Sequence, residues 1–257
     1  MSLKKSILSV VMAILGCLCI GSFLQKDVKA SNKYVVNYSE NTTIKKKRIS
    51  FTAKKVKNNV YYLIIKKNKK TKTITKKSNC NFLTDGKILY YVNRDKKLPD
   101  YQYKNTIYKY NVATGKRTKI ISGTDYAVIG CNGAYLYYGK DEGPDGITLY
   151  ALNLKTKKKK YMCDDIREVI VSDKYVATGT QAGDLYNYPI YTFKANGSKK
   201  KKVATGVRPL EIKNNKLYYY RVNINNWKVR IYKCSLNGKN KKAVTGWLNE
   251  LPDKYKS

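Results

Sequence analysis

Ile231-Tyr232-Lys233-Cys234-Ser235-Leu236-Asn237-Gly238-Lys239-Asn240-Lys241-Lys242, preceded by Leu217-Tyr218-Tyr219-Tyr220, decides the architecture of this chain. Apolar residues alternate through it, Asn237-Gly238 supplies a tight turn and lysines follow, which is the pattern of a β-hairpin. The order recurs at Ile190-Tyr191, Leu149-Tyr150 and Ile107-Tyr108, so that Tyr108, Tyr150, Tyr191 and Tyr232 are separated by 42, 41 and 41 residues. Each copy continues into a turn-forming stretch: Asn111-Val112-Ala113-Thr114-Gly115, Asn153-Leu154-Lys155-Thr156 and Lys194-Ala195-Asn196-Gly197. Upstream of each lies a second hairpin, with turns at Asp85-Gly86, Asn132-Gly133, Asp173-Lys174 and Asn214-Asn215. Two hairpins per repeat make a four-stranded unit.

Four-stranded units of about 40 to 45 residues bury their apolar faces only by stacking on one another, which predicts an all-β propeller of antiparallel blades. Five blades are expected, at 34–76, 81–121, 127–161, 167–203 and 208–244. The first is the weakest, with strands near residues 34–38, 49–53, 60–65 and 71–75. A sixth, split blade, closed by residues 247–251 pairing with the N-terminal strand, is the alternative.

The unit 231–242 with 217–220 resembles the repeat of the low-density-lipoprotein-receptor YWTD propellers, and more closely the bacterial secreted propeller domains of unknown function that share it. The resemblance spans roughly 81–244. Tyr-Tyr stands where Trp-Thr-Asp would follow the first Tyr, so the receptor's Asp-mediated bonding between blades does not carry over. What the resemblance implies is a fold and a binding role, without an established activity.

Composition narrows the chemistry. The 257 residues hold 53 Lys and Arg against 17 Asp and Glu, a net charge of +36, with no histidine. Imidazole bases and His metal ligands are therefore absent, and no cofactor or metal is expected. Only 7 of the cations are Arg, which favours a diffuse field over guanidinium forks and argues against nucleic acid as the partner.

Lys4 and Lys5, an uncharged run over 6–24 and Val28-Lys29-Ala30 read as a secretory signal peptide cleaved after Ala30, leaving one domain, 31–257. An uncleaved anchor is the other reading. Either way the folded part is expected outside the cytoplasm, secreted or at the cell surface. Cys80, Cys131, Cys163 and Cys234 fall at unlike blade positions and are expected to stay unbridged.

Propeller topology sorts the remaining candidates onto two ends. The turns between third and fourth strands carry Lys116, then Lys157, Lys158, Lys159 and Lys160, then Lys199, Lys200, Lys201 and Lys202, then Lys241 and Lys242. They serve as solvated edge protection or as an anion-binding crown for an envelope polymer or acidic lipid surface. Loops at the other end, expected at 92–106, 139–148, 179–189 and 221–229, carry Tyr101, Tyr103, Asp141, Glu142, Asp145, Asp184, Tyr186, Tyr188 and Trp227. These suit a protein or glycan ligand. The resulting expectation is a non-catalytic exported scaffold. The alternative is a carbohydrate-active or other hydrolase using the loop carboxylates and tyrosines.

Overall fold

Tyr61, Leu63 and Ile65 are buried while Tyr62, Ile64 and Lys66 between them are half-buried or exposed, the period that puts one face on a core. Runs such as 89–93, 136–139 and 176–180 are instead buried on both faces. The computed structural model describes residues 34–255, apart from 47, 58–59, 100–101, 144–145 and 182–185. The expected leader, with the cleavage expected after Ala30, lies outside these residues.

The strands run in chain order: β1 (Val35–Asn37), β2 (Thr43–Lys46), β3 (Ile49–Lys57), β4 (Val60–Lys67), β5 (Lys70–Thr84), β6 (Ile88–Lys97), β7 (Tyr103–Asn111) and β8 (Arg117–Thr124). The next eight are β9 (Tyr126–Cys131), β10 (Tyr135–Asp141), β11 (Ile147–Asn153), β12 (Lys159–Cys163), β13 (Ile166–Val171), β14 (Tyr175–Thr180), β15 (Tyr188–Lys194) and β16 (Lys201–Gly206). The last four are β17 (Arg208–Lys213), β18 (Lys216–Asn223), β19 (Lys228–Ser235) and β20 (Lys242–Ala243). Strands β9–β12, β13–β16 and β17–β20 form three four-stranded antiparallel sheets. The first strands of successive sheets touch, β5 with β9, β9 with β13 and β13 with β17, so they lie innermost. This is the β-propeller architecture.

Tyr108, Tyr150, Tyr191 and Tyr232 occupy the third strand of four successive sheets and pair with Tyr91, Tyr138, Thr178 and Tyr219 of the second. Where the partner is Tyr the rings stack, with centroids 5.7, 5.3 and 5.7 Å apart. A register shift follows the same residue outward, at Ile107/Tyr108, Leu149/Tyr150 and Ile190/Tyr191. The repeat thus encodes a bulge that twists the outer strand.

The first two units differ from the expected pair of separate blades. One strand, β5, serves both: Lys70–Ser78 pairs with β4 and Phe82–Thr84 with β6, with a bend at Cys80, whose φ is +67°. Residues 34–38 are not the inner strand of the first unit. Val35–Asn37 pairs with Phe82–Thr84 of the second, so the N-terminal strand lies inside the innermost row. The segment 247–251 does not reach the N-terminal strand either. Leu248 exchanges two 2.8 Å backbone hydrogen bonds with Val229 in the last sheet, and the Tyr255 hydroxyl donates to Glu211 Oε1 at 2.6 Å. The tail is bonded to its own sheet.

Three buried clusters join neighbouring sheets. Phe51, Leu63, Phe82, Leu89 and Tyr91 join the first two. Leu83, Tyr90, Val128, Leu136, Val169 and Phe193 run through the second, third and fourth, and Ile190, Val203, Leu217 and Tyr219 join the last two. Burying each such side chain contributes about 1.5 to 3 kcal/mol. Cys131, Cys163 and Cys234 are buried and Cys80 half-buried, each as a free thiol.

Candidate functional site

The two ends of the disc are built by different turns. At one end the first hairpin turn of three sheets is tied to the start of the third-to-fourth turn of the same sheet: Val112 N donates to Lys87 O, Leu154 N to Ala134 O and Ala195 N to Lys174 O, all at 2.9 Å. We call this the tip end. Its outer turns come in two forms. Asn111 and Asn153 each accept two backbone N–H groups on Oδ1, and a residue with positive φ follows, Gly115 at +71° and Lys157 at +61°. The other two are shorter turns around Asn196-Gly197 and Asn237-Gly238, whose Asn Oδ1 accepts from Ser198 N and Lys239 N.

Lys116, Lys157, Lys158, Lys199, Lys200 and Lys241 lie in these turns, while Lys159 and Lys160, Lys201 and Lys202, and Lys242 start the outer strands, and all eleven are exposed. Lys200 Nζ stands 4.6 Å above the Tyr191 ring. In the first sheet the β4–β5 turn adds Lys66, Lys67, Lys69 and Lys70. Its neighbourhood is the same end, since a Cβ on Gly86 would stand 3.0 Å from Lys46 Cβ.

The opposite loops are shorter than expected. Strands continue through polar sequence, so β6 and β7 are joined by 98–102, β10 and β11 by 142–146, β14 and β15 by 181–187 and β18 and β19 by 224–227. Tyr103, Asp141 and Tyr188 are therefore strand ends. Tyr101, Asp145 and Asp184 lie outside the described residues. The structure brings two candidates together: Tyr186 and Trp227 meet edge to face with centroids 5.4 Å apart, and Trp227 is 61% exposed. Tyr103 and Asp141 also meet, on Asp125, whose Oδ1 accepts from Tyr103 N at 2.9 Å and whose carbonyl accepts from Asp141 N at 3.1 Å. Tyr103 lies under Arg94 at 4.3 Å and Tyr188 under Arg167 at 4.1 Å. Asp141 Oδ1 accepts from Gly143 N at 2.9 Å, and Glu142 pairs with Lys140 at 2.8 Å.

Beside the aromatic pair lies a cluster that sequence reasoning missed. Glu168 of β13 and Arg208 of β17 form an ion pair at 3.4 Å between inner strands, both largely buried. Burial raises the Glu168 carboxyl above the usual carboxylate range, and the Arg208 guanidinium opposes the rise. Arg208 also donates to Tyr255 O at 3.1 Å and stands 5.9 Å from the Tyr220 ring centre. Burial, then the charge of Glu168, pushes the Tyr38 phenol well up. Only the position of both charges, each near the start of a first strand, could have flagged them.

No protein-family description matches the chain, and no curated protein is similar to it. Solved structures are similar in fold. Prolyl oligopeptidase B from Galerina marginata, solved with a 35-residue substrate, gives a TM-score of 0.52 at 13% identity, covering 83% of this chain and 35% of that one. An oligogalacturonate lyase in complex with manganese gives 0.50 at 14% identity, covering 72% and 59%, and TolB from Acinetobacter baumannii gives 0.44 at 13%, covering 76% and 50%. The chain spans about a third to three fifths of the length of these structures. At such identities the likeness is one of fold, the β-propeller.

Proposed function

We propose that the protein is an exported, non-catalytic binding scaffold, held at an anionic envelope surface by its tip end and offering its loop end to a protein or glycan. One observation carries this reading: exposed lysines recur at the outer turn of every sheet and so gather on one end. A field built from many point charges holds a polyanion or acidic surface without stereospecific contacts. The charged and apolar pattern of residues 1–30 supports an extracytoplasmic site for the folded part. At the loop end exposed Trp227, set edge to face against half-buried Tyr186, suits a sugar ring or an apolar side chain of a partner.

Sedimentation of the protein with anionic envelope material at graded salt tests the reading. Release between low salt and a few tenths molar supports it, because the screening length falls from about 30 Å at 0.01 M to about 8 Å at 0.15 M. Retention that salt does not change contradicts it.

A further inference from the structure

The tip end also holds a cavity of about 710 Å³ among the turns of the first three sheets. We infer that this cavity takes a phosphate-bearing ligand with a compact organic body, an inference that rests on the anion-binding reading of the tip end and names a ligand class for it. Three lysines from three separate elements line it: Lys67 at the end of β4, Lys87 in the β5–β6 turn and Lys109 in β7. One carboxylate, Asp85, opposes them, so the lining carries 3 − 1 = +2. Asp85 Oδ1 is committed to its own turn, accepting from Lys87 N at 2.8 Å and Ile88 N at 2.7 Å. Among the described residues, no ion pair engages Lys67, Lys87 or Lys109.

The chemistry of the lining selects the ligand. No Arg is present, so the lining offers point charges rather than a planar fork, and ammonium donors from three separate directions suit the several oxygens of a phosphate better than the two of a carboxylate. Ile49, Ile88, Val112 and Leu154 form apolar wall, which a bare ion would leave unused. Tyr34 and Tyr90 also line it, 4% and 2% exposed, and burial holds both phenols protonated. The rim is open at Gly133, where nothing stands within 4 Å of an ideal Cβ. A volume of 710 Å³ lies within the roughly 300 to 1,000 Å³ of small-molecule sites.

Titration calorimetry of the full-length chain with glycerol 3-phosphate, and separately with dihexanoyl phosphatidylglycerol below its micelle concentration, tests this, with glycerol as the phosphate-free control. Saturable one-to-one binding of glycerol 3-phosphate assigns a free or polymer-borne phosphate, and binding of the lipid alone assigns a headgroup. The combined variant Lys67→Gln, Lys87→Gln and Lys109→Gln should weaken the bound probe at least about tenfold, consistent with the loss of charge-assisted hydrogen bonds. Ala113→Trp, at an exposed rim position, keeps the charge, fills the space and should abolish binding. Lys157→Gln through Lys160→Gln should leave it unchanged. Saturation by neither probe, equal binding of glycerol, or binding that survives Ala113→Trp overturns the inference. Retention on envelope material without probe binding defeats the cavity alone; probe binding without retention defeats the surface-holding reading alone.

Discussion

The side-chain amide of Asn81 lies flat against the main chain of Val128, its Oδ1 accepting from the Val128 N–H at 2.6 Å and its Nδ2 donating to the Val128 carbonyl at 3.0 Å. Asn81 is buried on β5 and Val128 is buried on β9, so one side chain joins two inner strands that share no ladder. Asn81→Ala leaves both main-chain groups buried without partners, at about 1 to 3 kcal/mol each. A loss of about 2 to 4 kcal/mol in urea unfolding is expected, and a loss below about 0.5 kcal/mol would show that the bridge carries no stability.

Arg208→Met removes the partner of a buried carboxylate. The expected cost is about 3 kcal/mol at pH 8, the range for breaking a buried pair. The folded carboxyl of Glu168 is already raised by burial, and without Arg208 it rises further, so the folded variant takes up a proton more readily than the unfolded chain. The deficit should therefore shrink as the pH falls toward 5. A pH-independent deficit would mean that lost packing against Tyr220 and Tyr255 dominates.

Lys157 stands at φ +61° where the equivalent turn has Gly115. An L side chain in that region costs about 1 to 2 kcal/mol. After the entropy that glycine adds to the unfolded chain, Lys157→Gly should stabilise by about 0.5 to 1 kcal/mol. A thermal melt that falls instead would show that the Lys157 side chain makes a compensating contact.

Burial raises Cys80 to about 11 and Cys163 to about 12, and does the same to Tyr61, Tyr91 and Tyr219, at about 12. Each group holds its proton more tightly folded than unfolded. The stabilisation is complete below the ordinary thiol value of 9.0 and is lost as pH rises through the folded values. Urea midpoints should hold between pH 7 and 8.5 and fall steadily from pH 9 to 11.5. A constant midpoint to pH 11.5 would contradict the burial of these groups.

The repeat was legible because it is local and periodic: Tyr108, Tyr150, Tyr191 and Tyr232 mark one strand position four times, and each turn type follows from its Asn, Gly or Asp. The position of β1 was not legible. Val35–Asn37 finds its partner in Phe82–Thr84, more than forty residues away, and a three-residue strand carries no period. Loop lengths were overestimated for a related reason. Asn93-Arg94-Asp95-Lys96-Lys97 reads as loop by polarity, yet the ladder continues, with buried Asn93 opposite buried Thr106 and its side-chain amide held by Thr75 and Asp95. The Tyr186–Trp227 contact joins two sheets, and Glu168 with Arg208 joins the inner strands of the same two, so neither leaves a local signature. Lysine placement was readable because topology alone fixes which turns share an end.

Side-by-side binding of two variant sets to one anionic envelope fraction at 0.15 M ionic strength tests the two-ended account most directly. One set replaces Lys157, Lys158, Lys159, Lys160, Lys199, Lys200, Lys201 and Lys202 with Gln; the other carries Asp141→Asn and Glu142→Gln. With roughly 1 kcal/mol for each lysine near an anionic surface, the first set should bind about a hundredfold or more weakly. The second should bind as tightly as the parent or tighter, because it removes negative charge from the far end. Equal loss in both sets, or a lysine set that binds like the parent, would contradict the account.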